Sequence, residues 1–241
     1  VTNGVPPGDP AAHAAEAAAI RARLVPSGGL IAGVLGRLHP GKGQALLLEA
    51  LAGLRAKGID INFGCPAKTV NRHDGGASLL KHPTRIREIV AAIRSAVPND
   101  IPVSAKLRLG WDSIESIDEN ASMAAEGGAA WLTIHGRTRT QGYAPPVFWS
   151  SIGRVREALS LPVIANGDIW TLDDFHRCRD ESGCRHFMIG RGALADPALP
   201  AQIACELGIG NPSTRKIEWS RHFHQLATLI GVHDPKKQNL V

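Results

Sequence analysis

The residue of this sequence best placed for chemistry is Cys65, which follows a short apolar run and lies between Gly64 and Pro66. A loop without apolar periodicity follows it. A free cysteine most often packs like a small apolar residue. A thiol held at the end of a strand by glycine and proline is better suited to catalysis, so we predict a chemical role for Cys65. Packing roles are predicted for the other three cysteines, Cys178, Cys184 and Cys205.

Further reactive side chains also follow short apolar runs. Lys106 lies within the run Ser104-Ala105-Lys106-Leu107-Arg108, where a buried ammonium is unfavourable unless it faces a site. A lone histidine is more often structural than catalytic, but His135 also ends its run and precedes Gly-Arg-Thr. We therefore predict functional positions for Lys106 and His135.

Two glycine-containing loops follow the last two apolar runs, Asn166-Gly167-Asp168 and Gly190-Arg191. Glycine allows backbone amides to approach an anion closely, and arginine adds a charge-assisted donor. A short helix beginning near Gly192 would direct its N-terminus at the same anion. Together the loops predict a phosphate site.

These residues need a scaffold that brings strand ends together. Apolar runs of three to six residues alternate with amphipathic stretches, which indicates βαβ units and a parallel sheet. The predicted strands are Leu30–Leu35, Ile59–Phe63, Val103–Leu107, Trp131–Ile134, Val163–Ala165 and His186–Ile189. The predicted helices are Gln44–Ala56, Pro83–Ala96, Ile114–Glu126, Trp149–Leu159, Leu172–Asp180 and Ala201–Leu207.

Such units build either a doubly wound sheet or a (β/α)8 TIM barrel. In an open sheet only strands at the switch point supply the site, whereas in a barrel all strand ends meet at one mouth. Polar residues at five strand ends favour the barrel. We predict an irregular or helical segment over 1–29, the barrel over 30–207, and the start of a C-terminal helical domain over 208–241, including a helix over 214–230.

Composition limits the function further. The 241 residues are 44% hydrophobic and carry a net charge of +5, which favours an anionic partner over the alternative of an ordinary basic soluble protein. The four cysteines form no C-x-x-C pair, so the pattern predicts neither zinc nor a disulfide framework and suggests a reducing cytoplasm. No apolar run approaches the roughly 20 residues of a membrane span. Four aromatic residues in or beside strand-end loops are candidates to stack a nucleic-acid base: Trp111, Tyr143, Phe148 and Trp149.

The motifs together resemble the tRNA-dihydrouridine synthases over roughly Pro26 to Leu207. The stretch NFGCPAKTVNRHDGGASLL over 62–80 is the most specific part, and KLRLGW, HGRT, QGY, NGD and IGRG follow in order. The CPAKTVN form and the QGY loop resemble most the C branch, which modifies uridine 16 in the D-loop of bacterial tRNA.

The resemblance implies an FMN-bearing barrel that reduces the C5=C6 bond of uridine in tRNA, after NADPH has reduced the flavin. Hydride would pass from flavin N5 to C6, and Cys65 would deliver a proton to C5. The resemblance places Lys106 and His135 at the flavin ring or ribityl chain, and Asn62 and Arg108 at the substrate. It places at the flavin phosphate Asn166, Gly167, Asp168, Gly190 and Arg191. The implied protein is a cytoplasmic monomer without metal or membrane contact.

The sequence also departs from the family. The Ala-Pro-Met motif of the family's first strand is not found, and Gly33 aligns with a flavin-contacting glutamine. We therefore expect a chain truncated at both ends, which begins after the second barrel strand. Two alternatives stay open: a non-enzymatic remnant that at most binds RNA, and another FMN barrel oxidoreductase acting on a small molecule.

Overall fold

The computed structural model describes residues 30–34 and 56–209, and these contain one parallel sheet in the order β1-β2-β3-β4-β5-β6. The strands are β1 (Leu30–Val34), β2 (Ala56–Asn62), β3 (Val103–Arg108), β4 (Leu132–His135), β5 (Val163–Asn166) and β6 (His186–Met188). A doubly wound sheet reverses its strand order at a switch point, whereas here each strand neighbours the next in sequence. The fold is α/β, of the (β/α)8 barrel type, as predicted.

Helices lie between the strands. They are α1 (Lys68–Asn71), a 3₁₀ helix (Gly76–Lys81), α2 (Pro83–Ala96), α3 (Ser116–Glu126), α4 (Trp149–Ala158), α5 (Leu172–Ser182), α6 (Arg191–Ala195) and α7 (Leu199–Glu206). The predicted strands and the helices α2 to α5 are confirmed to within a few residues. The prediction of an irregular loop after Cys65 is wrong, because α1 and the 3₁₀ helix lie there. Both are too short to show apolar periodicity.

Some predictions lie outside the described residues. They include the N-terminal segment, the C-terminal helix over 214–230, and the helix predicted at Gln44–Ala56, of which Ala56 begins β2. The predicted domain boundaries stay predictions. In the part of the chain that the structure describes, no helix is long and apolar enough to cross a membrane.

The chain divides into two compact units. One comprises Val1–Gly167 with Cys178–Met188, and its described part holds all six strands; we call it the sheet unit. The other comprises Asp168–Arg177 with Ile189–Val241, and its described part holds α6 and α7; we call it the second unit.

The two faces of the sheet differ in chemistry because successive residues of a strand point to opposite faces. On one face, Val103, Ala105 and Leu107 of β3 are fully buried. Val103 belongs to an apolar cluster with Ile59 of β2 and Val97. This face forms the core of the sheet unit and leaves the opposite face for polar groups.

Candidate active site

The predicted strand-end residues of the sheet unit share the polar face. The register pairs Asn62 with Lys106, Arg108 with His135, and His135 with Asn166. Directly paired residues of parallel strands point to the same face. Because all five lie at the carboxyl ends of their strands, the fold brings them to one edge of the sheet.

A second polar layer, which is not among the predicted site residues, lies beneath them. Asp60 pairs with Ser104 on the same face, two residues before Asn62 and Lys106. Thr133 pairs with Lys106 and lies level with it. The Ser104 hydroxyl is buried and donates a hydrogen bond of 2.7 Å to the Asp60 carboxylate. The alternation of Asp60 with Asn62, and of Ser104 with Lys106, was the sequence signal that reports this layer.

Lys106 is a half-buried cation on this face. Burial lowers the pKa of Lys106 below 10.5, the positive charge of Arg108 lowers it further, and the Asp60 carboxylate partly opposes both. Among the described residues, its ammonium has no hydrogen bond or ion pair. A cation kept in such a place is poised for a ligand that carries or develops negative charge.

We expect Lys106→Met to stabilise the folded protein by about 1 kcal/mol at neutral pH, because it removes an unfavourably buried charge. Since the folded pKa is lowered, the native state loses the proton at lower pH than the unfolded chain. Wild-type stability therefore rises with pH through that window. The gain from the substitution is full at neutral pH and disappears as the pH rises through the lowered pKa toward 10.5.

Urea unfolding at neutral and alkaline pH measures this gain for Lys106→Met. Lys68→Met is the matched control, because Lys68 is exposed at the start of α1. The free energy of unfolding of Lys68→Met should differ little from that of the wild type at either pH. Destabilisation by Lys106→Met at neutral pH would contradict an unfavourable burial of this charge.

The backbone of Cys65 is firmly held. Its carbonyl accepts hydrogen bonds from the Asn71 side-chain amide at 2.9 Å and from the Ala77 backbone at 3.0 Å. Gly76 has φ +59°, and a Cβ there would lie 2.9 Å from the Cys65 carbonyl oxygen. Glycine is therefore needed at 76 for the chain to turn back so closely. The thiol itself is half-buried and free.

The turn before Cys65 is closed by Asn62, whose side-chain oxygen accepts a hydrogen bond of 2.9 Å from the backbone of Gly64. The half-buried Asn62 amide nitrogen makes no hydrogen bond to a described residue. The predicted substrate contact of Asn62 stays a prediction. The structure adds a local role in shaping the Cys65 turn.

Arg108 is 3% exposed and ties the loops that follow β2 and β4 to the end of β3. Its Nε donates to the Gly64 carbonyl at 3.0 Å, and its Nη1 donates to the carbonyls of Thr138 at 3.0 Å and Gly142 at 2.7 Å. Burial lowers the pKa of Arg108, and the neighbouring Tyr143 opposes this. The predicted substrate contact of Arg108 stays a prediction, whereas its role in holding these loops is visible.

His135 is buried beside a close approach of the backbone. Gly167 has φ +121°, and a Cβ there would lie 3.5 Å from the His135 ring. The Gly167 carbonyl accepts a hydrogen bond of 2.9 Å from the Trp149 indole. Asn166 donates from its amide to the Met188 carbonyl at 2.7 Å, which links β5 to β6.

Aromatic side chains at this edge differ in their availability. Trp149 is 1% exposed and belongs to the core, so it does not offer a surface for stacking. Tyr143 is 56% exposed, and its ring meets His135 edge-on with centroids 6.2 Å apart. Of these two candidates for stacking a base, Tyr143 alone presents its ring to solvent.

The second unit holds the other predicted phosphate contacts. The Arg191 guanidinium donates to the Asp168 carboxylate at 3.0 Å and lies 5.0 Å from the centroid of the Trp170 ring. A Cβ at Gly192 would lie 2.0 Å from the Ile169 carbonyl oxygen, so only glycine fits there. The phosphate roles predicted for Gly190, Arg191 and Asp168 stay predictions.

Sequence comparison decides the family. A profile described as dihydrouridine synthase (Dus) matches residues 44–233, which is well over half of the chain. The chain belongs to the dihydrouridine synthase family. The predicted family resemblance is thereby confirmed, and this dihydrouridine synthase domain carries the Cys65, Lys106, His135 and Asn166 positions described above.

Its curated relatives point to one branch of the dihydrouridine synthases. The tRNA-dihydrouridine(16) synthase of Cupriavidus necator is 51% identical over 179 residues, covering 74% of this chain and 55% of the relative. That of Pseudomonas syringae pv. tomato is 52% identical over 151 residues, covering 63% and 48%. The resemblance to the C branch is confirmed. The chain spans about half the length of the curated relatives it matches.

A comparison with solved structures adds little for this dihydrouridine synthase domain. Nitroalkane oxidase from Streptomyces ansochromogenes aligns with a TM-score of 0.37 and 19% identity, over 61% of this chain and 37% of that chain. A likeness at this level supports no argument about function. Among the described residues, no cluster of histidine, cysteine and acidic side chains is suited to a metal ion.

Proposed function

We propose that this chain reduces the C5=C6 bond of uridine in the D-loop of tRNA, at position 16, with FMN as its cofactor and NADPH as the reductant. The observation that carries the proposal is the Cys65 thiol at one end of a polar sheet face that also holds Lys106. Membership of the dihydrouridine synthase family and the names of the relatives support it.

The described residues fit a flavin. Lys106 is a half-buried ammonium without a protein partner among them, which suits the negatively charged edge of a reduced isoalloxazine ring. Gly167 keeps the backbone beside His135 free of a side chain. When bound, the flavin supplies the hydride. Lys106 and His135 would hold its ring or ribityl chain, and the two glycine loops its phosphate.

Cys65 supplies the proton. A thiol is a donor that can protonate a carbon as a general acid when it is fixed within reach. Its backbone is held by Asn71 and Ala77, and its preceding turn by Asn62. The half-exposed thiol therefore occupies a defined position at the strand edge, from which it can meet a base brought in from solvent.

An RNA substrate agrees with the charge. The net charge of +5 attracts a polyanion, and the exposed Tyr143 ring offers a face on which an unstacked base can rest. Tyr143 stands next to Arg108, whose Cζ lies 5.3 Å from the ring centroid. The aromatic ring is therefore held in place by a buried neighbour.

The test uses the 241-residue chain with FMN, NADPH and an unmodified tRNA transcript. Mass spectrometry of the digested RNA should show a gain of two hydrogen atoms at uridine 16. A transcript with cytidine at that position is the control and should stay unmodified. Binding of FMN with no change in the tRNA, together with NADPH oxidation by a small unsaturated carbonyl compound, would instead favour the small-molecule oxidoreductase.

A further inference from the structure

Two cations lie over one indole ring close to the Cys65 loop. The Lys81 ammonium is 3.7 Å from the centroid of the Trp111 ring, and the Arg139 guanidinium carbon is 4.6 Å from it. A cation over the face of an indole ring is attracted by the negative potential of that face. The ring thus brings together two like charges that otherwise repel.

No carboxylate of the described residues neutralises this pair. Neither Lys81 nor Arg139 forms an ion pair with a described residue. Asp74 and Glu88 line a cavity of about 610 Å³ beside Lys81, yet they make no ion pair with it. The excess positive charge at Trp111 is therefore left for an anion from outside the described chain.

Both cations keep donors for such an anion. Arg139 uses Nε to donate to the Asn71 side-chain oxygen at 2.9 Å, while its two terminal nitrogens make no hydrogen bond to a described residue. Lys81 is exposed, and its ammonium likewise makes no hydrogen bond to a described residue. An ammonium and a half-free guanidinium form a donor set suited to phosphate oxygens.

The backbone fixes Arg139 and Trp111 relative to each other. The amide of Arg139 donates to the Gly110 carbonyl, and the amide of Thr140 donates to the Trp111 carbonyl, both at 2.9 Å. The loops that follow β3 and β4 thus run side by side. Arg139 and the indole that contacts Lys81 are therefore built on paired loops, in contrast to surface cations that project independently.

The same cluster reaches Cys65 through Asn71. The buried Asn71 accepts from Arg139 and donates to the carbonyls of Cys65 at 2.9 Å and Gly75 at 3.0 Å. A single residue, Asn71, therefore links the Arg139 side chain to the backbone of the Cys65 loop. A ligand that binds Arg139 therefore acts, through Asn71, on the backbone that positions the Cys65 thiol.

We propose that Lys81 and Arg139, supported by Trp111, form a subsite for one phosphodiester group of the RNA backbone, and that Asn71 transmits its occupancy to the Cys65 loop. The proposal rests on the proposed function, since it takes the RNA substrate from there. It adds a defined phosphate contact and makes Asn71 and Arg139 positioning residues for the thiol.

The first experiment measures binding of an unmodified tRNA transcript to the 241-residue chain at several salt concentrations. Lys81→Ala and Arg139→Ala should each weaken binding by about threefold to tenfold and reduce the slope of log K against log salt by roughly 0.7–0.9. Arg185→Ala is the matched control. It removes an exposed cation that precedes β6, at the opposite end of the sheet, and should change the slope little.

The second experiment measures the thiol without RNA. Iodoacetamide labelling followed by peptide mass spectrometry compares Cys65 with the half-buried Cys205 in the same sample. Asn71→Ala and Arg139→Ala should raise the Cys65 rate relative to Cys205 several-fold, because they release the loop. Lys81→Ala should leave this ratio unchanged, since the Lys81 side chain makes no hydrogen bond to Asn71.

Arg139→Lys separates the two roles, because a lysine keeps the charge but lacks the Nε donor. It should retain the salt slope and still raise the Cys65 labelling rate, and it serves as the test variant should Arg139→Ala not fold. Wild-type protein that fails to bind tRNA overturns the proposed function and the subsite together. Wild-type binding together with a loss in Lys81→Ala no larger than that in Arg185→Ala overturns the subsite alone.

Discussion

Replacement of Cys65 by alanine is expected to reduce dihydrouridine formation by at least about 100-fold, the usual contribution of a positioned general acid. The reason is local. Cys65 carries the only thiol within the 62–80 motif, and its backbone is fixed by Asn71 and Ala77 at the edge of the polar face. Alanine removes the proton donor without disturbing those backbone hydrogen bonds.

The measurement compares the rate of dihydrouridine formation with the rate of flavin reduction by NADPH in the same preparation. Dihydrouridine in a tRNA transcript, quantified by mass spectrometry, should be nearly lost in Cys65→Ala, while FMN binding and its reduction by NADPH persist. Cys205→Ala is the matched control, because it removes another half-buried thiol, in α7 of the second unit. Undiminished tRNA modification in Cys65→Ala would remove this thiol from the chemistry.

Arg108→Met is expected to lower the free energy of unfolding by roughly 3 kcal/mol. The substitution leaves the carbonyls of Gly64, Thr138 and Gly142 without their guanidinium donor. A buried acceptor that loses its partner costs about 1–3 kcal/mol. Methionine has a similar length and apolar stem, so the loss reports the missing hydrogen bonds more than a cavity.

Urea unfolding tests this expectation, with the midpoint and the slope recorded separately. Arg154→Met is the matched control, because Arg154 pairs with Asp118 on the surface at 3.0 Å with both side chains about half exposed. That pair is worth less than about 1 kcal/mol. A loss in Arg108→Met no larger than in Arg154→Met would show that the loops after β2 and β4 hold together without the guanidinium.

The elements that the sequence predicted well are those with a strong periodic signal. Pro83–Ala96 was predicted with the bounds observed for α2, because proline stands at its first turn and Ile86, Ile89 and Val90 mark one buried face. The short α1 was missed, since four residues are too few to display a period. The missed α1 matters for the site, because it ends at Asn71.

The second polar layer, of Asp60 and Ser104, shows a different limit. The alternation of these polar residues with apolar neighbours is present in the sequence. A short apolar run with one polar residue, however, equally predicts a strand that is buried on both faces. The register of the strands was needed to align Asp60 with Ser104 and Lys106 with Thr133. Pairing across strands is a long-range property that a local pattern does not carry.

The sequence by itself determined the family, the parallel α/β architecture, and the strand-end positions of Cys65, Lys106 and His135, because each is marked by neighbouring residues in the chain. Only the tertiary structure decided which atoms these positions meet. Arg108 reaches carbonyls 30 to 44 residues away, and Arg139 reaches Asn71 across 68 residues. Such contacts depend on where parallel strands place their loops. Only the folded chain therefore gives Cys65 a backbone that is held by an arginine at Gly64 and by an asparagine at Cys65 itself.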